Sequence, residues 1–347
     1  MRLTFALLVA SLACLPCCTT QVEDPFAFLD AGGSPAAPDS GAPPQDAASA
    51  TDTSLDTSST DTPPTDAAPD VPPIDPDWVR VRVGTFNVLR LFDDVCDSGR
   101  CDDNDFEAVF SEAGFGYRVF QIAEGVRQMD VDVLLLQEIE NQRALNRLLQ
   151  ELGDAWRGSF LGEIGGDATL DVAVVSRFPL VATEGYRDEI AVVRPDNSIT
   201  TFAREFLQAE LEVEGRRVIV FTSHFKSKNN DDAGRRLGEA QSAREIVVGV
   251  ARENPDALVV FGGDINDTPG SAPLDALEAD GALVRVEPEG DPGTLRFGGQ
   301  LYALDHLYMA ADAAGVVVPG ETRVVRDASG ALGGSDHAAV RAEFAIP

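Results

Sequence analysis

The chain has 347 residues, 58 acidic against 27 basic, and a net charge of −31 with neutral histidines. That balance argues against sequence-independent gripping of long polyanions, which rests on basic surface. It does not argue against cleaving such molecules at a metal-loaded site.

The first residues read as an export signal: Arg2 supplies positive charge, residues 3–12 a short apolar run, and Ala13 a small residue at a cleavage point. The run is far below the ~20 apolar residues of a spanning helix, and no later stretch reaches that length. Cys14, Cys17 and Cys18 follow it as in a bacterial lipoprotein signal, where a cysteine becomes the lipidated first residue. Leu12 stands one place too near Cys14, while Leu15 is well placed before Cys18 and Pro16 and Cys17 are not. Residues 1–18 are therefore read as a signal with a lipid anchor, plain secretion being the alternative. Either way the protein is expected outside the cell or on its envelope.

Residues 19–77 are dominated by Pro, Ala, Ser, Thr and Asp, with no Lys or Arg between Arg2 and Arg80. Such a segment cannot bury enough apolar surface to offset its ordering entropy, so a disordered, extended linker is expected. Residues 1–77 hold eleven Asp, one Glu and the single base Arg2, which leaves 46 acids and 26 bases beyond them, a net of −20. Residues 78–347 have the length of one large domain.

Within that domain, residues 78–92 alternate Val and Arg and continue as Val-Gly-Thr-Phe-Asn-Val, a strand pattern. A helical stretch is predicted over 106–128, a buried strand over 131–136, a helix over 141–152, and a strand over 170–180 stopped by Pro179. Residues 206–225 read as a hairpin turning at Glu214-Gly215. A helix over 236–253, a strand over 257–261, and short strands around 301–309 and 338–344 complete the pattern. No internal repeat is visible. The mixture predicts a layered α/β sandwich of two packed sheets rather than one parallel sheet. Cys96 and Cys101 are placed for a local disulfide in an oxidising compartment, two free thiols being the alternative.

Polar residues recur where apolar runs end, which is where a scaffold presents chemistry. Asn87 closes the first run, and Glu138 follows Leu134-Leu-Leu-Gln137. His224 follows Val218-Ile-Val-Phe-Thr-Ser223, Asp264 and Asn266 follow Val259-Val-Phe-Gly-Gly263, Asp305 follows Leu301-Tyr-Ala-Leu304, and Asp336 and His337 precede Ala338. Gly262-Gly263 admits close backbone approach. Packing alone is a poor explanation for this recurrence.

In chain order Gly84-Thr-Phe-Asn-Val88, Leu136-Gln-Glu-Ile139, Asp171-Val-Ala-Val-Val-Ser-Arg-Phe-Pro179, Ser223-His-Phe-Lys-Ser-Lys228, Gly263-Asp-Ile-Asn-Asp-Thr-Pro-Gly-Ser271, Leu304-Asp-His306 and Gly334-Ser-Asp-His337 make a set. That set resembles the endonuclease/exonuclease/phosphatase superfamily, which includes pancreatic-type deoxyribonucleases, abasic-site endonucleases, bacterial sphingomyelinases and inositol-polyphosphate phosphatases. The resemblance spans residues 81–344. It implies a deoxyribonuclease I-like fold, a four-layer α/β sandwich of two mostly antiparallel or mixed sheets flanked by helices.

The resemblance also implies roles. Glu138 would be the main Mg²⁺ ligand, with Asn87 beside it and Asp336 reaching the metal directly or through water; Mn²⁺ is the substitute. Asp264 would activate the attacking water, Asn266 hold the phosphate or that water, and His337 stabilise the phosphorane with Asp305 fixing its ring. His224 would contact the phosphate or act as general acid. Asp171, Arg177 and Lys226 are assigned to substrate, Lys228 also standing near, and His306 to support or packing. The chain has only three histidines, and all three fall in these motifs.

The His224-Phe-Lys-Ser-Lys228 segment looks most like bacterial extracellular nucleases, so nucleic acid, DNA favoured, is the expected substrate and no protein partner is expected. Phospholipid or sphingolipid phosphodiesterase and phosphomonoesterase are the alternatives, followed by a non-catalytic binding module. Asp93-Asp94 and Asp102-Asp103 suggest a further cation site, with Ca²⁺ the candidate.

Overall fold

The computed structural model describes residues 74–102 and 104–347, so the expected signal and residues 19–73 of the expected linker lie outside the described residues. The chain runs β1 (Val79–Leu91), α1 (Glu112–Met129), β2 (Val133–Ile139), α2 (Gln142–Leu152), β3 (Gly158–Gly162), β4 (Asp171–Ser176) and β5 (Leu180–Gly185). A small hairpin of β6 (Val192–Val193) and β7 (Ile199–Thr200) leads to β8 (Leu207–Val213), β9 (Arg216–His224), α3 (Ala233–Glu253), β10 (Leu258–Asp264) and α4 (Ala272–Leu277). Then come β11 (Leu283–Arg285), β12 (Leu295–Phe297), β13 (Gln300–Tyr302), β14 (Asp305–Ala310), β15 (Val316–Val317), β16 (Arg323–Val325) and β17 (Ala339–Ile346).

One sheet has the order β15-β17-β1-β2-β4-β3, with β16 also on β17, and the other β11-β14-β10-β9-β8-β5. Only β1–β2 and β9–β10 are parallel, and α1 and α3 are their crossovers. The remaining pairs of these two sheets are antiparallel.

Three buried clusters separate four layers. Leu134, Leu136, Ala173 and Val175 pack under α1 and α2. Val81, Val83, Val133, Leu135, Val218, Val220, Leu258 and Val260 fill the space between the sheets. Ile219, Phe221, Val259 and Phe261 pack under α3 and α4. Neighbouring residues of one strand thus enter different cores, which is why these strands read as unbroken apolar runs. Phe206 stacks on Phe202 at 5.0 Å and on Phe221 at 5.6 Å in the third cluster.

Helix starts follow local capping: the side chains of Ser111, Asn141 and Asp232 accept from the amides of Gly114, Ala144 and Arg235. The Ser111 cap delays α1 to Glu112, so residues 106–111 are not helical as expected. The run expected over 170–180 is also divided: β4 ends at Ser176, and after Pro179 the chain enters β5 in the other sheet. Strand β3 went unread because Gly158 and Gly162 bound it. Gly158 lies so close to the crossing that an added Cβ would meet the Phe178 carbonyl at 2.5 Å. Cys96 and Cys101 are joined. Among the described residues no helix is long and apolar enough to cross a membrane.

Candidate active site

Followed along one strand, the positions facing the other sheet change character. On β1 they run Val81, Val83, Thr85, Asn87; on β9, Val218, Val220, Thr222, His224; on β10, Leu258, Val260, Gly262, Asp264. A buried polar layer marks the change. Gln137 Nε2 donates to Thr85 Oγ1 at 3.1 Å and to Thr222 Oγ1 at 3.0 Å, tying the two sheets together beneath the polar end. Gly262 keeps that end narrow, since a Cβ there would meet Leu307 and Leu135 side-chain atoms at 2.5 and 2.9 Å.

Above this layer Asn87 bridges two carboxylates. Its Nδ2 donates to Glu138 Oε1 at 3.1 Å and to Asp264 Oδ2 at 3.0 Å, while its Oδ1 accepts the Leu89 amide at 3.0 Å. Strict alternation after Gln137 would turn Glu138 away. A bulge shifts the β2–β4 register between Gln137 and Ile139, and Glu138 takes φ 69°, which re-aims its carboxylate into the site. The Arg90 amide then holds Glu138 Oε2 at 2.8 Å. Asn266 also has positive φ, 56°; its amide N–H donates to Asp264 Oδ1 at 2.9 Å and its Nδ2 to the Phe225 carbonyl at 3.1 Å. Backbone in this region costs of order 1–3 kcal/mol per residue and persists where surroundings over-determine it.

His337 and Asp305 form a buried pair, Nδ1 to Oδ2 at 2.7 Å. The far nitrogen of His337 lies 3.9 Å from Asp264 Oδ2 and 4.0 Å from Asp336 Oδ1. Burial alone would favour a neutral ring, but Asp305, Asp264 and Asp336 outweigh it and hold the His337 imidazolium well above the usual histidine range. Burial and the charge of Asp305 push Asp264 up to about 7. His224 Nε2 lies 3.6 Å from Asp264 Oδ2. Burial, with the charges of Arg204 and His337, keeps His224 well below the usual range. A ring held neutral serves as a hydrogen-bonding group.

The structure thus brings Asn87, Glu138, His224, Asp264, Asn266, Asp305, Asp336 and His337 to one end of the interlayer core. Two assignments, Arg177 and Lys226, are corrected. Arg177 follows the opposite end of β4; its guanidinium stacks on Trp156 at 4.8 Å and donates to the Val131 carbonyl. Asp171, fully buried, lies at the Glu138 end of β4, opposite Ile139 in register; its oxygens accept from Thr169 Oγ1 at 2.9 Å and the Ile164 amide at 3.4 Å. The Lys226 ammonium turns onto the carbonyls of Ser227 and Asn229, and Lys228 pairs with Asp267 at 3.0 Å. His306 Nε2 lies 3.2 Å from the Asp267 carbonyl. Of the acids expected to bind a further cation, Asp93 accepts the Val95 amide and Asp94 pairs with Arg143. Asp103 lies outside the described residues.

Two arginines escaped the sequence reading. Arg204 is largely buried, charge-coupled to Glu138, Asp171 and Glu239, and its Nε has no acceptor. Its only cue was a lone base in Phe202-Ala-Arg-Glu-Phe206, just before a strand. Arg118 on α1 donates to the carbonyls of Val88, Leu89 and Gly333, tying the end of β1, whose Arg90 amide holds Glu138, to the loop that carries Asp336. It reads as one more helical surface residue until the fold is known.

Asp264, Asp305 and His337 place ligand-type atoms within 4.8 Å of one another. Asp305 Oδ1 and Asp336 Oδ1 are buried without a donor. Carboxylates in excess of bases, all hard oxygen donors, fit a divalent cation. Glu138 and Asp336 would hold it. Asn87 would join them by turning its amide over, because its oxygen now faces the Leu89 amide.

A four-layer sandwich with carboxylates, an amide and a carboxylate-held imidazole at one end of its inner core defines a metal-dependent hydrolase of phosphoric esters, of the phosphodiesterase or phosphatase type. A model of the Endonuclease/Exonuclease/phosphatase family matches residues 84–337, and the chain belongs to that family. The fold is shared with solved structures, among them the following. An endonuclease/exonuclease/phosphatase family protein from Bacteroides thetaiotaomicron is 17% identical with TM-score 0.55, covering 78% of this chain and 99% of that one. TDP2 of D. rerio complexed with single strand DNA product is 17% identical with TM-score 0.52, covering 76% and 98%. Beta toxin from Staphylococcus aureus is 17% identical with TM-score 0.50, covering 76% and 99%. No curated protein matches the sequence.

Proposed function

We propose that this protein is an exported, Mg²⁺-dependent nuclease that hydrolyses phosphodiester bonds of nucleic acid, with DNA favoured and Mn²⁺ able to substitute. The observation that carries the hydrolytic reading is the buried line from Asp305 through His337 to Asp264. When bound by Glu138, Asn87 and Asp336, the cation supplies Lewis-acid polarisation of a phosphoryl oxygen. Asp264, raised towards neutrality and held by Asn87 and Asn266, is placed to orient a water and take its proton. His337, kept cationic by Asp305, donates from its far nitrogen to the oxygen on which charge develops. His224 contributes a neutral hydrogen bond. Arg204 has a buried N–H without an acceptor, and a phosphate oxygen of the substrate is the acceptor it needs.

Nucleic acid is favoured by the shared fold with a TDP2 solved with a DNA product. The acidic surface favours short or single-stranded contacts at the site over broad electrostatic grip. The leader and Cys14, Cys17 and Cys18 support export and a lipid anchor. The test is hydrolysis of plasmid DNA, RNA, sphingomyelin and bis-nitrophenyl phosphate with Mg²⁺, His337→Ala serving as control. Plasmid cleavage lost in the variant is the expected result. Turnover confined to sphingomyelin or the small diester would overturn the choice of substrate and keep the site.

A further inference from the structure

We infer that the chain carries a second divalent-cation site, of the calcium type, built outside the catalytic cluster from the β1–α1, β2–α2 and β3–β4 loops. These loops enclose a cavity of about 250 Å³ lined by Asp97, Glu140, Asn141, Glu163, Asp167 and Thr169, with no basic side chain among its lining residues. Four carboxylates, an amide and a hydroxyl are an all-oxygen donor set, and loop-mounted carboxylates suit the high, adaptable coordination number of Ca²⁺ better than the strict octahedron of Mg²⁺.

Glu140 is the second observation, independent of the cluster's charge. It is 2% exposed, and one of its oxygens, Oε1, is buried with nothing donating to it. The other accepts the Asp93 amide at 2.8 Å. Its neighbour Glu107 is also buried: its two oxygens accept the amides of Asp97 and Ser98 at 2.6 and 2.8 Å, and its carboxyl lies in hydrogen-bond contact with that of Glu140. A buried carboxylate oxygen facing only other acids is costly unless a cation or a proton sits beside it. The same contacts prepare the site. Glu107 fixes the amides flanking Asp97, Asn141 Nδ2 holds Asp97 Oδ2 at 2.9 Å, and the Cys96–Cys101 bond closes the loop around them.

This site stands apart from the proposed catalysis, and its test reads binding and stability. The full-length protein is titrated with Ca²⁺ by calorimetry in excess Mg²⁺, which keeps the catalytic cluster occupied, and its Tm is followed. One saturable equivalent is expected, with a rise in Tm of roughly 5 °C at a hundredfold excess over Kd. Glu140→Gln should weaken binding at least tenfold. Glu163→Gln, at an exposed position that the fold does not depend on, should weaken it by a smaller factor. Absence of a saturable equivalent, or equal affinity in both variants, would overturn the site. So would a Tm indifferent to Ca²⁺ that rises in Glu140→Gln, which would assign a proton shared between Glu107 and Glu140.

Discussion

The two ends of the space between the sheets are made by the same strands and do opposite work. At one end Val81, Val218 and Leu258 face each other as an apolar core, and three repeats of the pleat later the same rows carry Asn87, His224 and Asp264. Between them the Gln137, Thr85 and Thr222 layer is fully hydrogen-bonded, so polarity rises without stranding a buried group. The apolar end secures the register. The polar end inherits that register as geometry, which is how residues far apart in sequence come within hydrogen-bond reach. Rigidity is obtained at one end and used at the other.

The sharpest way to break this comparison is to alter each end in turn. Asp264→Asn should lower kcat/KM by about 10³-fold or more at unchanged circular dichroism, since it removes a base and the partner of both histidines. Leu258→Ala, at the apolar end, should cost about 2–5 kcal/mol in denaturant unfolding while turnover per folded molecule stays near that of the parent.

A third experiment reads the polar end through pH. Asp264 and Glu239, each pushed up to about 7 chiefly by burial, and Asp171, pushed up to about 6, bind their protons more tightly folded than unfolded. The folded state gains relative stability at acid pH and loses it as pH rises through about 6–7. Metal-free protein should therefore become less stable between pH 5 and pH 8, and the slope should be shallower in Asp264→Asn. A smaller contrast separates two arginines. Arg204→Ala should reduce kcat/KM by about 10- to 100-fold, as loss of a charged hydrogen bond to phosphate predicts. Arg177→Ala should leave kcat/KM within about twofold and cost about 1 kcal/mol of stability, the scale of its cation–π and exposed ionic contacts.

Much of this was legible in the residues. Period-two runs with both faces apolar announced strands inside a layered fold, and Asn87, His224 and Asp264 stood out because each ends such a run. Glu138 was identified by position, yet the bulge that aims it depends on pairing with β4, which no local pattern displays. Arg177 was misread because Ser176 and Leu180 looked like one strand, whereas Pro179 sends the chain to the second sheet and leaves Arg177 at the far end. Arg204 and Arg118 act through three-dimensional neighbours drawn from several elements, and an isolated base in a loop or on a helix carries no mark of that.

In the proposed reaction Asp305 acts through His337. The direct measurement is kcat/KM for bis-nitrophenyl phosphate in Asp305→Asn, His337→Ala and the double variant. Groups that act as one unit give strongly non-additive losses. Asp305→Asn should therefore cost about 10²-fold or more alone and add almost nothing once His337 is alanine. Independent, additive losses, or full activity in either single variant, would contradict it.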